Sequence, residues 1–262
     1  MRLVTVDRTL ERALLALAAG LVANTLLGPL AFDLVDYGLS ESLRNQAIGL
    51  EAVSFLLVAP VCIAAAGFVR AARPAGAVLA LAPATYTAYM AVQYVVGPGY
   101  LRYPTVLALH LGLFVVGGIV AVRAWASIEP GHLPPMTASR RRQRAAVLVG
   151  LGVFVVPAAI ATAIVLRRGT PTAAKAMYGL VGWFALVPPS VAAMAITMVV
   201  NDDPHASVGS TVLFGAAAVA FAVYAVRLFR PLFAPRPSNP RSHDNGNSTS
   251  PGRLRVAARV DR

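Results

Sequence analysis

Charge is what this chain has least of, with Asp, Glu, Lys and Arg together making up 13% of its 262 residues. A soluble domain of this size carries about a quarter charged residues, so composition excludes a free-standing soluble fold. Acid is scarcer than base: 11 Asp and Glu stand against 23 Lys and Arg, for a formal net charge of +12. Lysine is almost missing, Lys175 being the sole one. Arginine standing in for lysine beside so much alanine and valine suggests a GC-rich prokaryotic genome. Cys62 is the only cysteine, which excludes an internal disulfide or a cysteine-built zinc site and leaves a small apolar packing residue. The chain also lacks a phosphate-binding glycine loop, a zinc-protease histidine pair and a G-x-S-x-G elbow. Lys175 lies at the edge of an apolar run, so no lysine sits inside one.

What the chain has in abundance is apolar length. It is 57% hydrophobic, with a mean hydropathy of +0.67. Seven long apolar runs cover 13–32, 48–69, 75–96, 105–122, 145–166, 176–200 and 207–226. Crossing a hydrocarbon core of about 30 Å takes roughly 20 helical residues at about 1.5 Å each. The expectation is an all-α, polytopic transmembrane bundle of about seven spans over 1–226, in a cell membrane. Residues 227–262 read as a disordered basic tail rich in Arg, Pro and Ser, whose composition cannot bury a core. Arg2, Arg8 and Arg12 ahead of the first run imitate a secretory signal. That run is too long for one and has no small-residue exit, so it reads as an uncleaved first helix.

Positive charge sorts to the cytoplasmic side of a membrane. Arg2, Arg8 and Arg12 precede the first run, Arg70 and Arg73 join the second to the third, and Arg123, Arg140, Arg141, Arg142 and Arg144 join the fourth to the fifth. The N-terminus is therefore expected inside. The second half conflicts with this. A fifth run that crosses leaves Arg167, Arg168, Lys175 and the tail outside. A re-entrant fifth segment, bent at Pro157, brings both termini inside and leaves only Arg44 and Arg102 against the rule. Both arrangements stay open. Because the arginines flank apolar runs, the expected partners are the lipid bilayer and, through the loops and tail, anionic lipid headgroups, and not nucleic acid.

No cofactor or metal is expected. A bis-histidine haem needs two buried histidines, and His132, His205 and His243 fall in links or tail. The run Asn201-Asp-Asp-Pro-His205 fits no closed metal site and reads as Asp203 capping the last helix with Pro204 in its first turn.

A few polar residues interrupt the apolar runs. Asn24 shares a stripe with Ala13, Ala16, Gly20 and Gly28, the kind of small-residue face that packs on other helices. Glu51 is the one carboxylate clearly inside a run, at an insertion cost of about 2.5–3.5 kcal/mol. Tyr86, Tyr89, Gln93 and Tyr94 make the third run amphipathic in its outer half, and His110 lies just inside the fourth. With the N-terminus inside, Asn24, Glu51, Tyr89, Gln93 and His110 fall at one shallow outer level, roughly 5–12 Å from the helix ends. The expectation is a polar pocket for a small solute, ion or proton, with Glu51 and His110 as its titrating pair. The alternative is a non-catalytic scaffold or sensor whose polar residues only clamp helices together. No attacking group for an enzyme is visible.

Overall fold

Asp7 opens the first helix by accepting the Leu10 N–H at 3.0 Å, so that one of the free amides of the first turn is satisfied. In the computed structural model of the chain, which describes residues 7–35, 37–96, 104–151 and 156–234, all regular structure among the described residues is helical. The helices are α1 (Arg8–Leu27), α2 (Glu41–Val53), α3 (Ala59–Arg70), α4 (Pro74–Val96), α5 (Pro104–Ser127), α6 (Ala138–Leu151), α7 (Val156–Arg167), α8 (Pro171–Phe184), α9 (Val187–Val200) and α10 (Val208–Phe233).

Six helical segments among the described residues are long and apolar enough to cross a membrane: Arg8–Leu27, Glu41–Arg70, Pro74–Tyr94, Pro104–Ser127, Thr172–Val200 and Val208–Phe233. The chain is thus the all-α, multi-pass bundle that its composition implies. Two of the spans are built from pieces. Pro60 lacks the N–H that Leu56 would need, and α2 passes into α3 through a π turn, Ser54–Val58, in which Ala59 N–H reaches back to the Ser54 carbonyl. Ala185 and Leu186 separate α8 from α9, with Pro188 and Pro189 in the first turn of α9. The Leu186 carbonyl beside that break accepts from Ser190 Oγ at 3.0 Å, and Ser190 Oγ meets Tyr86 Oη at 2.6 Å.

The fifth apolar run is the one that yields no helix of crossing length among the described residues. It is divided between α6 and α7, which pack against one another. Gly169, at φ +77°, turns the chain after α7, and a β-carbon there would lie 2.9 Å from Nη1 of Arg141 near the start of α6. The hairpin therefore returns the chain to the end from which it left. Six helices of crossing length are roughly consistent with the expected bundle of about seven spans, and the hairpin of α6 and α7 fits the alternative of six spans with a re-entrant segment.

Contacts between helix ends fix the rest. Ser127 Oγ donates to Asp7 Oδ2 at 3.3 Å, Lys175 Nζ donates to the Trp125 carbonyl at 3.3 Å, and the Phe68 and Phe233 rings lie 5.3 Å apart. The start of α1 and the close of α10 consequently share one end of the bundle, together with Arg70, Arg73, Arg123 and the arginines of the hairpin. Arg44 stands at the opposite end, in an ion pair with Asp33 at 2.6 Å. Arg102 and residues 235–262 lie outside the described residues. The last helix continues past 226 to Phe233 because Leu228 and Phe229 are buried against the bundle.

At the opposite end the α9–α10 link is tied to α2. Asn45 Nδ2 donates to Asp203 Oδ2 at 3.1 Å, Asn201 Nδ2 donates to Asn45 Oδ1 at 2.7 Å, and Thr197 Oγ1 donates to the Asn45 carbonyl at 2.7 Å. Asp203 is not the cap of the last helix, as its sequence setting implied. Ser207 accepts the Ser210 N–H and caps α10, while Asp203 accepts the His205 N–H at 2.9 Å. That N–H, helped by the Asn45 amide, holds the Asp203 carboxyl below its ordinary range.

Candidate functional site

Glu51 is 2% exposed, in the last turn of α2 just before the π turn. Its Oε1 accepts from Tyr37 Oη at 3.0 Å and from Asn24 Nδ2 at 3.4 Å, and its Oε2 accepts the Leu30 N–H at 3.1 Å. Thr25 Oγ1 donates to the Glu51 carbonyl at 3.3 Å. Gly28 leaves room for the carboxyl, since a β-carbon there would overlap Glu51 Oε1. The two ion pairs among the described residues are Arg44–Asp33 and His132–Glu129, so this buried acid is served only by neutral donors.

Tyr37 is the residue that sequence reasoning missed. It sits in the link between α1 and α2, which folds inward instead of running over the surface. Val35 N–H donates to the Leu27 carbonyl at 2.9 Å, and Val35, Tyr37 and Val106 form a small buried cluster against Leu27, Leu39 and Tyr94. One signal was present: Val35, Tyr37 and Leu39 alternate, which puts three apolar side chains on one face of an extended segment. Burial, followed by the nearby Glu51 carboxyl, pushes the Tyr37 phenol well above the ordinary tyrosine range, so Tyr37 remains a neutral donor.

His110, 3% exposed, hydrogen-bonds through Nδ1 to the Val106 carbonyl at 2.8 Å. A carbonyl only accepts, so Nδ1 carries the hydrogen and Nε2 is left as the nitrogen that can gain one. The imidazole stacks on Tyr94, with centroids 4.2 Å apart, and meets Tyr37 edge-on at 5.6 Å. Tyr37 therefore stands between the two groups expected to pair, its hydroxyl on the carboxyl and its ring on the imidazole.

A cavity of about 30 Å³ is lined by Asn24, Glu51, Ser54, Tyr86, Tyr94 and His110 among others. That is room for about one water molecule. The structure brings Asn24, Glu51 and His110 to this cavity and leaves Tyr89 and Gln93 outside its lining. Gln93 is exposed, and Tyr89, 45% exposed, packs edge-on against Trp183 at 5.2 Å. The reason lies in the helix stripe. α4 turns Thr87, Met90, Ala91 and Tyr94 to the cavity, and Tyr89 and Gln93 follow on the flank that leaves it.

The contacts of Tyr37, Asn24 and Glu51 can be counted in hydrogens. Tyr37 Oη meets both Glu51 Oε1 and Asn24 Oδ1 at 3.0 Å, and the Asn24 amide closes the triangle. The amide supplies one hydrogen and the phenol one, for three contacts. Turning the amide over changes which contact it serves and not the count. An ionised carboxyl leaves one contact without a hydrogen, and a proton on Glu51 completes all three.

Among the described residues no cluster of three His, Cys, Asp or Glu side chains is placed to hold a metal ion. No known protein family, curated protein or solved structure matches this chain.

Proposed function

We propose that this membrane protein binds and translocates protons, with Glu51 as the exchanging group, Asn24 and Tyr37 as its hydrogen-bonding partners, and His110 as the second group on the same water-sized cavity. The observation that carries the reading is the three-contact triangle, which closes when Glu51 holds a proton and opens by one contact when it does not. Cavity size narrows the solute expected from the sequence to a proton or a water molecule. We place the N-terminus in the cytoplasm of a cell membrane, because the folded-back fifth segment gathers the arginines of both halves at one end.

The test is proton flux into proteoliposomes carrying an internal pH dye, for the parent chain and Glu51→Gln. Glutamine keeps its oxygen on the Leu30 N–H and donates to Tyr37 Oη, but its NH₂ cannot accept from Asn24 Nδ2 as the carboxyl does, so the Asn24 amide must turn over. The variant is therefore expected to melt within about 1–3 kcal/mol of the parent. Flux is expected in the parent and lost in the variant. Equal flux in both would remove Glu51 from the path.

A second reading is supported by the same contacts seen as fasteners: they join α1, the 28–40 link and α2, as in a scaffold or sensor. It expects no flux from either protein, and an infrared carboxylic-acid band from Glu51 that ignores external pH.

A further inference from the structure

A second, larger cavity lies at the other end of the bundle, where the arginines collect. It is an open cleft of about 790 Å³ between the ends of α1, α3, α4, α5 and α10, within the usual range for a small-molecule site. Leu10, Val69, Val78 and Ile128 form a buried apolar floor. Arg73 and Arg123 stand on its wall, beside Asp7, Glu129 and His132.

The charges there are unequally engaged. Asp7 uses one carboxylate oxygen on the Leu10 N–H and the other on Ser127 Oγ. Glu129 pairs with His132 at 3.5 Å. Arg123 and Arg73 make no ion pair among the described residues, although the Arg73 guanidinium lies 5.7 Å from the Phe68 ring centre. The cleft therefore offers two guanidinium groups above an apolar floor, at the ends of five crossing-length helices. Guanidinium is the side chain best shaped to hold phosphate oxygens, and basic pockets between transmembrane helices take up anionic lipid headgroups.

We propose that this cleft binds one anionic phospholipid, with Arg73 and Arg123 as donors to its phosphate and the apolar floor meeting the start of its acyl chains. The cleft is far larger than an inorganic phosphate ion, its floor is apolar, and it opens at headgroup level. These three features favour a lipid over the free anion. The site lies at the end opposite Glu51 and stands or falls independently of the proton reading.

The full chain, purified in neutral detergent, is titrated with short-chain phosphatidylglycerol, short-chain phosphatidylcholine and inorganic phosphate, with retained adducts counted by native mass spectrometry. One phosphatidylglycerol is expected to be retained in preference to phosphatidylcholine. Arg73→Gln and Arg123→Gln should each weaken its retention by about tenfold. Arg140→Gln, which removes the same charge from an exposed site on α6, should leave it unchanged. Equal loss in Arg140→Gln would show diffuse charge attraction and overturn the site. Equal retention of phosphatidylcholine would overturn the anionic requirement, and retention of phosphate alone as tightly as the lipid would overturn the lipid.

Discussion

Replacing Tyr37 by phenylalanine removes one oxygen and leaves a ring that still packs on Tyr94 and His110. The loss is chemically narrow: Glu51 Oε1 and Asn24 Oδ1 each forfeit a contact of 3.0 Å in a place where water is nearly excluded. A buried polar group stripped of its partner costs about 1–3 kcal/mol, and thermal unfolding in detergent should show Tyr37→Phe destabilised by that amount. An unchanged melt would mean that water replaces the phenol freely. Of the five residues expected to share a pocket, Asn24, Glu51 and His110 line one cavity, and they stand out in the sequence because a polar group inside an apolar run is conspicuous. Tyr89 and Gln93 lie outside that lining, because a helical stripe gives residues in common without saying which neighbour takes the face, and here Trp183 takes Tyr89. Tyr37 was illegible for the opposite reason. It lies in a link, where a tyrosine is ordinarily a headgroup-level residue, and only the fold turns that link inward.

At the scale of elements, the α9–α10 link depends on one carboxylate. Asp203 accepts from Asn45 on α2 and from His205 in its own link, and these donors hold its folded value below the ordinary one. A lowered carboxylate stabilises the fold fully above its unfolded value of about 3.9. That contribution is lost as pH falls through the lower folded value. The parent should therefore melt above Asp203→Ala at neutral pH, and the gap should narrow on acidification below about pH 4. A gap that stays constant into acid would assign the difference to packing. Sequence pattern mistook this residue for a helix cap because Asp followed by Pro is a common first-turn signature. Its partner at Asn45 is remote in sequence, and no local pattern could reveal it.

At the scale of the molecule, hydropathy reads seven runs of crossing length, while the distribution of arginines favours a folded-back fifth one. The fifth apolar run is as long as a span, so length alone could not demote it. Only the arginines on its far side signalled that it returns. Six crossing helices would put both termini on one side. A reporter active only in the cytoplasm, fused after Arg262, should be as active as one fused before Met1, and silence at the C-terminus would require a seventh crossing. The first two crossing helices carry one more consequence. Among the described residues, every side chain or amide that serves the Glu51 carboxyl (Asn24, Leu30 and Tyr37) belongs to the segment between α1 and α2 or to α1 itself, at separations of 14 to 27 residues. Those partners all leave the ribosome before Glu51 does. During biogenesis the acid thus enters the bilayer with its shell already synthesised, and its insertion does not wait on any later helix.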